Sequence, residues 1–121
     1  MATQLTGRAE IYLNGAKTRA ISGAKLTIGG EIRETQPGAF QVAGYRVTGF
    51  APGAVEWEEA HAADTDLAAL DAVGVTVQFH ADTGGIWLVN NATRVGDPLE
   101  IDGESGTISV RFEGDPAEQV A

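Results

Sequence analysis

His61 and His80 come first in any search for chemistry, because imidazole is the one side chain whose ordinary pKa lets it move protons near neutral pH. No H-x-x-x-H or H-E-x-x-H spacing surrounds either, so both are expected at surface or strand-end positions rather than as bases or metal ligands. Asp97, Glu100, Asp102 and Glu104 form an acidic run that a divalent cation would favour. Their order departs from the calcium-loop pattern, and a solvated acidic turn accounts for them. Trp57 and Trp87 are the residues that would stack on a sugar or a base. Both stand among apolar neighbours in strand patterns, which points instead to core or subunit-interface packing. The chain has no cysteine, which excludes disulfides, thiolate metal sites and cysteine nucleophiles. It has no P-loop, no G-x-S-x-G and no G-x-G-x-x-G. Asn91-Ala92-Thr93 is a glycosylation sequon by pattern alone. No catalytic residue, metal or cofactor is assigned, and the chain is read as a non-enzyme.

The elements that would carry such residues are short strands. With 121 residues, 43% of them hydrophobic, the sequence fits one domain spanning 1–121 with a workable core. Sixteen glycines punctuate β-branched runs, the pattern of strands joined by turns. Leu5, Ala9, Ile11 and Leu13 fall on one face of a first strand, and Asn14-Gly15 tolerates the positive φ angles of a tight turn. The chain is expected to return through Ile21, Ala24, Leu26 and Ile28 and pair with it as a hairpin. Further on, Tyr45, Val47 and Gly49 alternate with Arg46, Thr48 and Phe50. Past Pro52-Gly53, Val55 and Trp57 share one face while Glu56 and Glu58 share the other, and two glutamates on one face need solvent. Val75–Phe79 and Ile86–Val89 flank a turn at Asp82-Thr83-Gly84-Gly85, and the second run, apolar on both sides, reads as a strand covered on both faces. A last hairpin runs from Leu99–Ile101 through Asp102-Gly103 to Thr107–Phe112, with Ile108, Val110 and Phe112 inward.

Two segments depart from this strand grammar. Asp64 or Thr65 caps one expected short helix over about 64–73, with Leu67, Leu70 and Val73 as its apolar stripe and Gly74 as its stop. Residues 29–44, polar with Pro37-Gly38 near the middle, read as a long projecting hairpin or mobile loop. Ordering such an arm costs entropy, so a domain that carries one usually orders it on a partner; an ordinary loop without a role is the plainer reading.

Charge bounds the partners. The net charge of −9 repels nucleic acid, so no phosphate-binding surface is expected. Residues 1–50 hold six Lys/Arg against three acids, giving +3, and residues 51–121 hold two against fourteen, giving −12. Separate basic and acidic faces would let copies attract one another head to tail. The alternative is that both halves interleave and the asymmetry averages out. The polar N-terminus, Met1 to Gly7, lacks the pattern of a signal peptide, and no apolar run reaches membrane-spanning length; a cytoplasmic chain without a membrane partner is expected.

Read in order, Leu5-Thr6-Gly7-Arg8-Ala9 with Asn14-Gly15, then Ala51-Pro52-Gly53-Ala54-Val55-Glu56-Trp57, Asp64–Leu70, Val75–Phe79, Gly84-Gly85, Trp87 and the closing Gly106–Gly114 resemble the tail tube proteins of Mu-like contractile-tailed phages. The likeness spans nearly the whole chain, and its specificity lies in the order of the elements. It implies a β-sandwich or barrel-like, mainly β fold with one flanking helix, assembled into hexameric rings that stack as a hollow tube. It also implies tail sheath, baseplate and tail terminator partners, genomic DNA passing without specific binding, and a place in the virion tail after assembly in the host bacterial cytoplasm. Such proteins use the long loop to contact the adjacent ring, which here offers Glu31, Ile32, Arg33, Glu34, Gln36, Pro37 and Phe40. Glu56 and Glu58 are the lumen-facing candidates, and Arg8, Arg46 and Trp87 the subunit-interface candidates. Basic residues of the first half, among them Lys17, Arg19 and Lys25, would meet acids of the second half across subunits. Competing readings are the DNA-free tube of a bacteriocin or secretion device, and a monomeric β-sandwich module binding a small ligand through Trp57 and Trp87.

Overall fold

A computed structural model describes residues 3–21 and 24–121. Met1, Ala2, Ser22 and Gly23, which include the start of the polar N-terminal stretch, lie outside the described residues. The strands are β1 (Ala9–Leu13), β2 (Ala16–Lys17), β3 (Lys25–Thr27), β4 (Gly30–Pro37), β5 (Val42–Ala51), β6 (Gly53–Ala60), β7 (Val75–Ala81), β8 (Ile86–Arg94), β9 (Ile101–Asp102), β10 (Thr107–Gly114) and β11 (Glu118–Gln119), with one helical turn, α1 (Leu67–Leu70). The order β2-β1-β7-β8-β10-β6-β3 forms one curled sheet, with β11 added to β8 and β9 to β10. It folds on itself like a sandwich without closing into a barrel. The bend falls where the far end of β8 meets β10 through Phe112–Arg94 and Glu113–Thr93.

Alternation builds the core. Ile11, Val55, Val77, Val89, Ile108 and Phe112 are fully buried, each pointing inward from its strand. Trp57 is buried as well, stacked on Phe112 with ring centroids 5.7 Å apart, so it is core and unavailable to a ligand. Trp87 is half-buried, edge-on to Phe79 at 6.2 Å.

Asn14 and Gly15 take φ values of 52° and 88°, and β1 turns there into β2 as its composition requires. The hairpin is shorter than expected, because β3, within the expected return, lies in the other half of the sandwich. There β3 pairs with β6, and the main partner of β1 is β7. Leu5 lies outside the strand and is exposed. The hairpins β7–β8 and β9–β10 form at the expected turns.

The helix is one turn rather than 64–73. Asp66 caps it, its Oδ1 accepting from the Ala68 and Ala69 amides at 3.1 and 3.2 Å, while Asp64 is drawn away to Arg19. A single turn cannot hold three apolar side chains in line: Leu70 is buried, whereas Val73 is 77% exposed.

Both halves of the chain contribute to both halves of the sandwich, so the charge asymmetry interleaves. Lys17 pairs with Glu10, Arg19 with Asp64, Lys25 with Glu56 and Arg33 with Glu31, all within one copy. Of the six basic residues in the first half, that leaves Arg8 and Arg46 without an ion pair among the described residues.

Candidate assembly surface

Strands β4 and β5 form a separate two-stranded sheet, and no residue of either is buried. At roughly 3.3 Å per residue this arm is about 25–30 Å long. Its base is fixed by backbone. Gly29 has φ +77°, and a Cβ there would lie 2.6 Å from both the Pro52 carbonyl carbon and the Gly53 amide nitrogen, so only glycine lets the chain leave the body across Pro52. At the far end the Gly38 amide donates to the Gln41 carbonyl at 2.7 Å, closing the tip.

The register decides which side chains share a face. Glu31 pairs with Phe50, Arg33 with Val47, Thr35 with Tyr45 and Pro37 with Val42, while Ile32 pairs with Gly49, Glu34 with Arg46 and Gln36 with Gly44. Two irregularities, leaving Thr48 and Ala43 outside the pairing, each shift β5 by one residue. Strict alternation places Phe50 opposite Tyr45 and Val47; the bulge at Thr48 brings it onto their face, and the one at Ala43 does the same for Val42. The product is one apolar stripe, Val42, Tyr45, Val47 and Phe50, at 60%, 69%, 51% and 66% exposure. The opposite face is mostly polar, with Arg46 bonded to Gln36 beside Ile32 and Glu34. Glu31 and Arg33 form an ion pair at 3.2 Å on the striped face. Phe40 stands at the tip, fully exposed. Glu31, Ile32, Arg33, Glu34, Gln36, Pro37 and Phe40 thus come together on the arm.

A two-stranded ribbon with no third strand and no packed face is marginal in water. Four large apolar side chains stand exposed in a row along it.

The other candidates lie on the body. The outer face of β6 and its neighbours carries a charge ladder in register: Lys25 opposite Glu56, and Glu56 opposite Arg111. Arg111 donates to Glu56 at 3.0 Å and to Glu113 at 3.1 Å. Burial pulls the Arg111 pKa down, and the hydrogen bonds from it to Glu113 and Glu56 more than offset this, so the guanidinium is held charged. Glu56 is ion-paired with Lys25 and Arg111, whereas Glu58 is exposed and carries no ion pair among the described residues. Arg8 precedes β1, its carbonyl accepting from the Asp82 amide at 3.1 Å.

One charged group escaped the sequence reading. Glu59 is 5% exposed; its Oε1 accepts from Trp57 Nε1 at 3.1 Å and its Oε2 from the Arg19 amide at 3.1 Å. The signal was present, since Val55, Trp57 and Glu59 alternate onto one face.

Asp102 and the two histidines make local contacts. Asp102 shapes its turn, accepting from the Glu104 and Ser105 amides at 2.9 and 3.3 Å, and those bonds hold its carboxyl below the usual range. His80 bonds Gln78 at 2.8 Å and lies tilted against Tyr12 with ring centroids 4.3 Å apart, and the His61 amide donates to the Gly106 carbonyl. Among the described residues no group of three or more His, Asp or Glu is placed to hold a metal ion, and no helix is long and apolar enough to cross a membrane.

Residues 2–119 match the family described as phage tail tube protein. The chain is also 36% identical over 114 residues to the Mu-like prophage FluMu tail tube protein of Haemophilus influenzae, an alignment covering 90% of this chain and 85% of that relative. The match spans the body and the arm alike, and the family is structural rather than enzymatic. The chain belongs to the phage tail tube protein family.

Proposed function

We propose that the chain, acting as one unit over residues 1–121, assembles head to tail into rings, hexameric as the family resemblance implies, which stack into the hollow tube of a contractile phage tail. The observation that carries this reading is the arm: a 25–30 Å ribbon, roughly, with one apolar face and no support from its own body. Residues Val42, Tyr45, Val47 and Phe50 pack on a neighbouring copy, and Glu31, Ile32, Arg33, Glu34, Gln36, Pro37 and Phe40 reach the adjacent ring. Arg8 and Arg46, which have no ion pair among the described residues of their own copy, and the half-buried Trp87 complete subunit contacts. Glu58 is the stronger lumen candidate; Glu56 contributes less, being balanced by Lys25 and Arg111. A net-negative lumen repels the DNA backbone, so DNA slides past each ring without sticking. Tail sheath, baseplate and tail terminator proteins are the expected partners, with assembly in the host bacterial cytoplasm.

Negative-stain micrographs of the purified protein at rising concentration test this directly. Annular or tubular particles are expected. A particle that stays monomeric at millimolar concentration would contradict the reading and favour a solitary β-sandwich module.

A further inference from the structure

We infer that β11 is a detachable cover over the edge of β8, closing within a single copy a stretch of backbone that would otherwise pair with stray extended chains. β8 lies between β7 and a second flank that is built in two pieces. Toward its end, Thr93 and Arg94 pair with Glu113 and Phe112 of β10; toward its start, Leu88 and Trp87 pair with Glu118 and Gln119 of β11. Both pieces keep the same register, so β11 resumes along β8 the line that β10 leaves. Between them the chain swings away, the Asp115 amide donating to the Asn90 carbonyl at 2.9 Å and the Ala117 amide to the Ile28 carbonyl at 2.8 Å.

The need for a cover lies in the composition of β8. Residues 83–93 contain no charged residue and no proline, and Ile86, Trp87, Leu88 and Val89 follow one another within them. An uncharged apolar run with an open edge is a template for edge-to-edge pairing. β11 is a poor template in its turn, because it is two residues long and bears Glu118.

The cover is held unevenly. Its root is fixed: Asp115 accepts from Asn91 Nδ2 at 2.8 Å, Ala117 packs against the core, and a Cβ on Gly53 would lie 2.4 Å from the Asp115 carbonyl oxygen. Beyond Ala117 the hold is made by backbone. The Val120 amide donates to the Ile86 carbonyl at 2.8 Å and the Ile86 amide to the Ala121 carbonyl at 3.1 Å, while residues 118–121 are all exposed. A few exposed backbone bonds open far more readily than a whole domain unfolds. Opening turns residues 118–121 outward about Pro116 and Ala117 and frees the Ile86 amide and carbonyl, with β7 and the core undisturbed.

Two substitutions at one site test the cover. Val120→Pro removes the amide that bonds Ile86, whereas Val120→Ala keeps it, and Val120 is 53% exposed and outside the core. Both are made in a Phe50→Ser chain, so that the arm adds as little as possible to association and the outcome does not hang on the proposed function. Hydrogen exchange follows the Ile86 amide, and light scattering follows association. Relative to Val120→Ala, the Val120→Pro chain is expected to exchange the Ile86 amide at least about ten-fold faster with β7 amides unchanged, and to associate several-fold faster. Equal Ile86 exchange in the two chains would overturn the cover. Exchange at Ile86 and in β7 that rises by the same factor would overturn it too, since β11 would then open only with the whole domain. Faster Ile86 exchange without faster association would overturn the protective role.

Discussion

Replacing Phe50 by serine separates assembly from folding. Phe50 is 66% exposed, and an aromatic side chain offers 150–250 Å², so roughly 130 Å² awaits burial. At about 25 cal/mol per Å² this is worth about 3 kcal/mol for each copy that buries it, which corresponds to a roughly 100-fold rise in the concentration at which particles appear. The isolated chain should barely notice. Phe50 pairs across the ribbon with Glu31 and contributes nothing to the core, so its loss should change folding stability by no more than about 0.5 kcal/mol. Sedimentation velocity across a concentration series, alongside a thermal melt of dilute protein, reads both quantities. Particles that form at the parent concentration would refute the reasoning, and so would an assembly defect accompanied by a large fall in melting temperature.

Three further perturbations probe the body and the base of the arm. Glu59→Ala leaves the Trp57 indole N–H and the Arg19 amide without their acceptors and should cost roughly 2–4 kcal/mol in chemical denaturation; a loss under about 0.5 kcal/mol would show that water replaces the carboxylate. Gly29→Ala places a Cβ against the Pro52–Gly53 backbone at positive φ, so the arm should be re-aimed and proteolysis within residues 29–52 should accelerate several-fold while the core signal persists; unchanged cleavage counts against a fixed base. The Arg19 guanidinium, by hydrogen bond and charge, holds the Asp64 carboxyl below its usual range. A depressed folded pKa contributes stability above the ordinary carboxylate range that is lost as pH falls through the folded value. The small stability gap between the parent and Asp64→Asn should therefore narrow between neutral pH and pH about 3, and a gap that widens would contradict the pairing.

Much of the fold was legible because strand alternation is a local signal. Val55 and Trp57, and Ile108, Val110 and Phe112, could be assigned to the core by counting in twos, and Asn14-Gly15 announced its turn through the φ angles it tolerates. What failed depended on register and distant partners. The bulges at Thr48 and Ala43 reverse the side on which Phe50 and Val42 lie, and neither has a composition that marks it beforehand. The helix shrank because Arg19, far away in sequence, takes up Asp64 while Asp66 does the capping. The arm was visible as a polar interruption, but its apolar stripe extends past residue 44 into a run that reads only as an alternating strand. Glu59 was overlooked because its carboxylate is satisfied by an indole and a backbone amide that only the folded sheet brings together.

On the proposed function, the arm's apolar face is finished by other copies of the chain. An electron cryo-microscopy reconstruction of the assembled particle tests it most directly. Val42, Tyr45, Val47 and Phe50 are expected to be buried against a neighbouring subunit in every ring. A tube in which those four side chains face solvent, with subunits held together through the body alone, would contradict it.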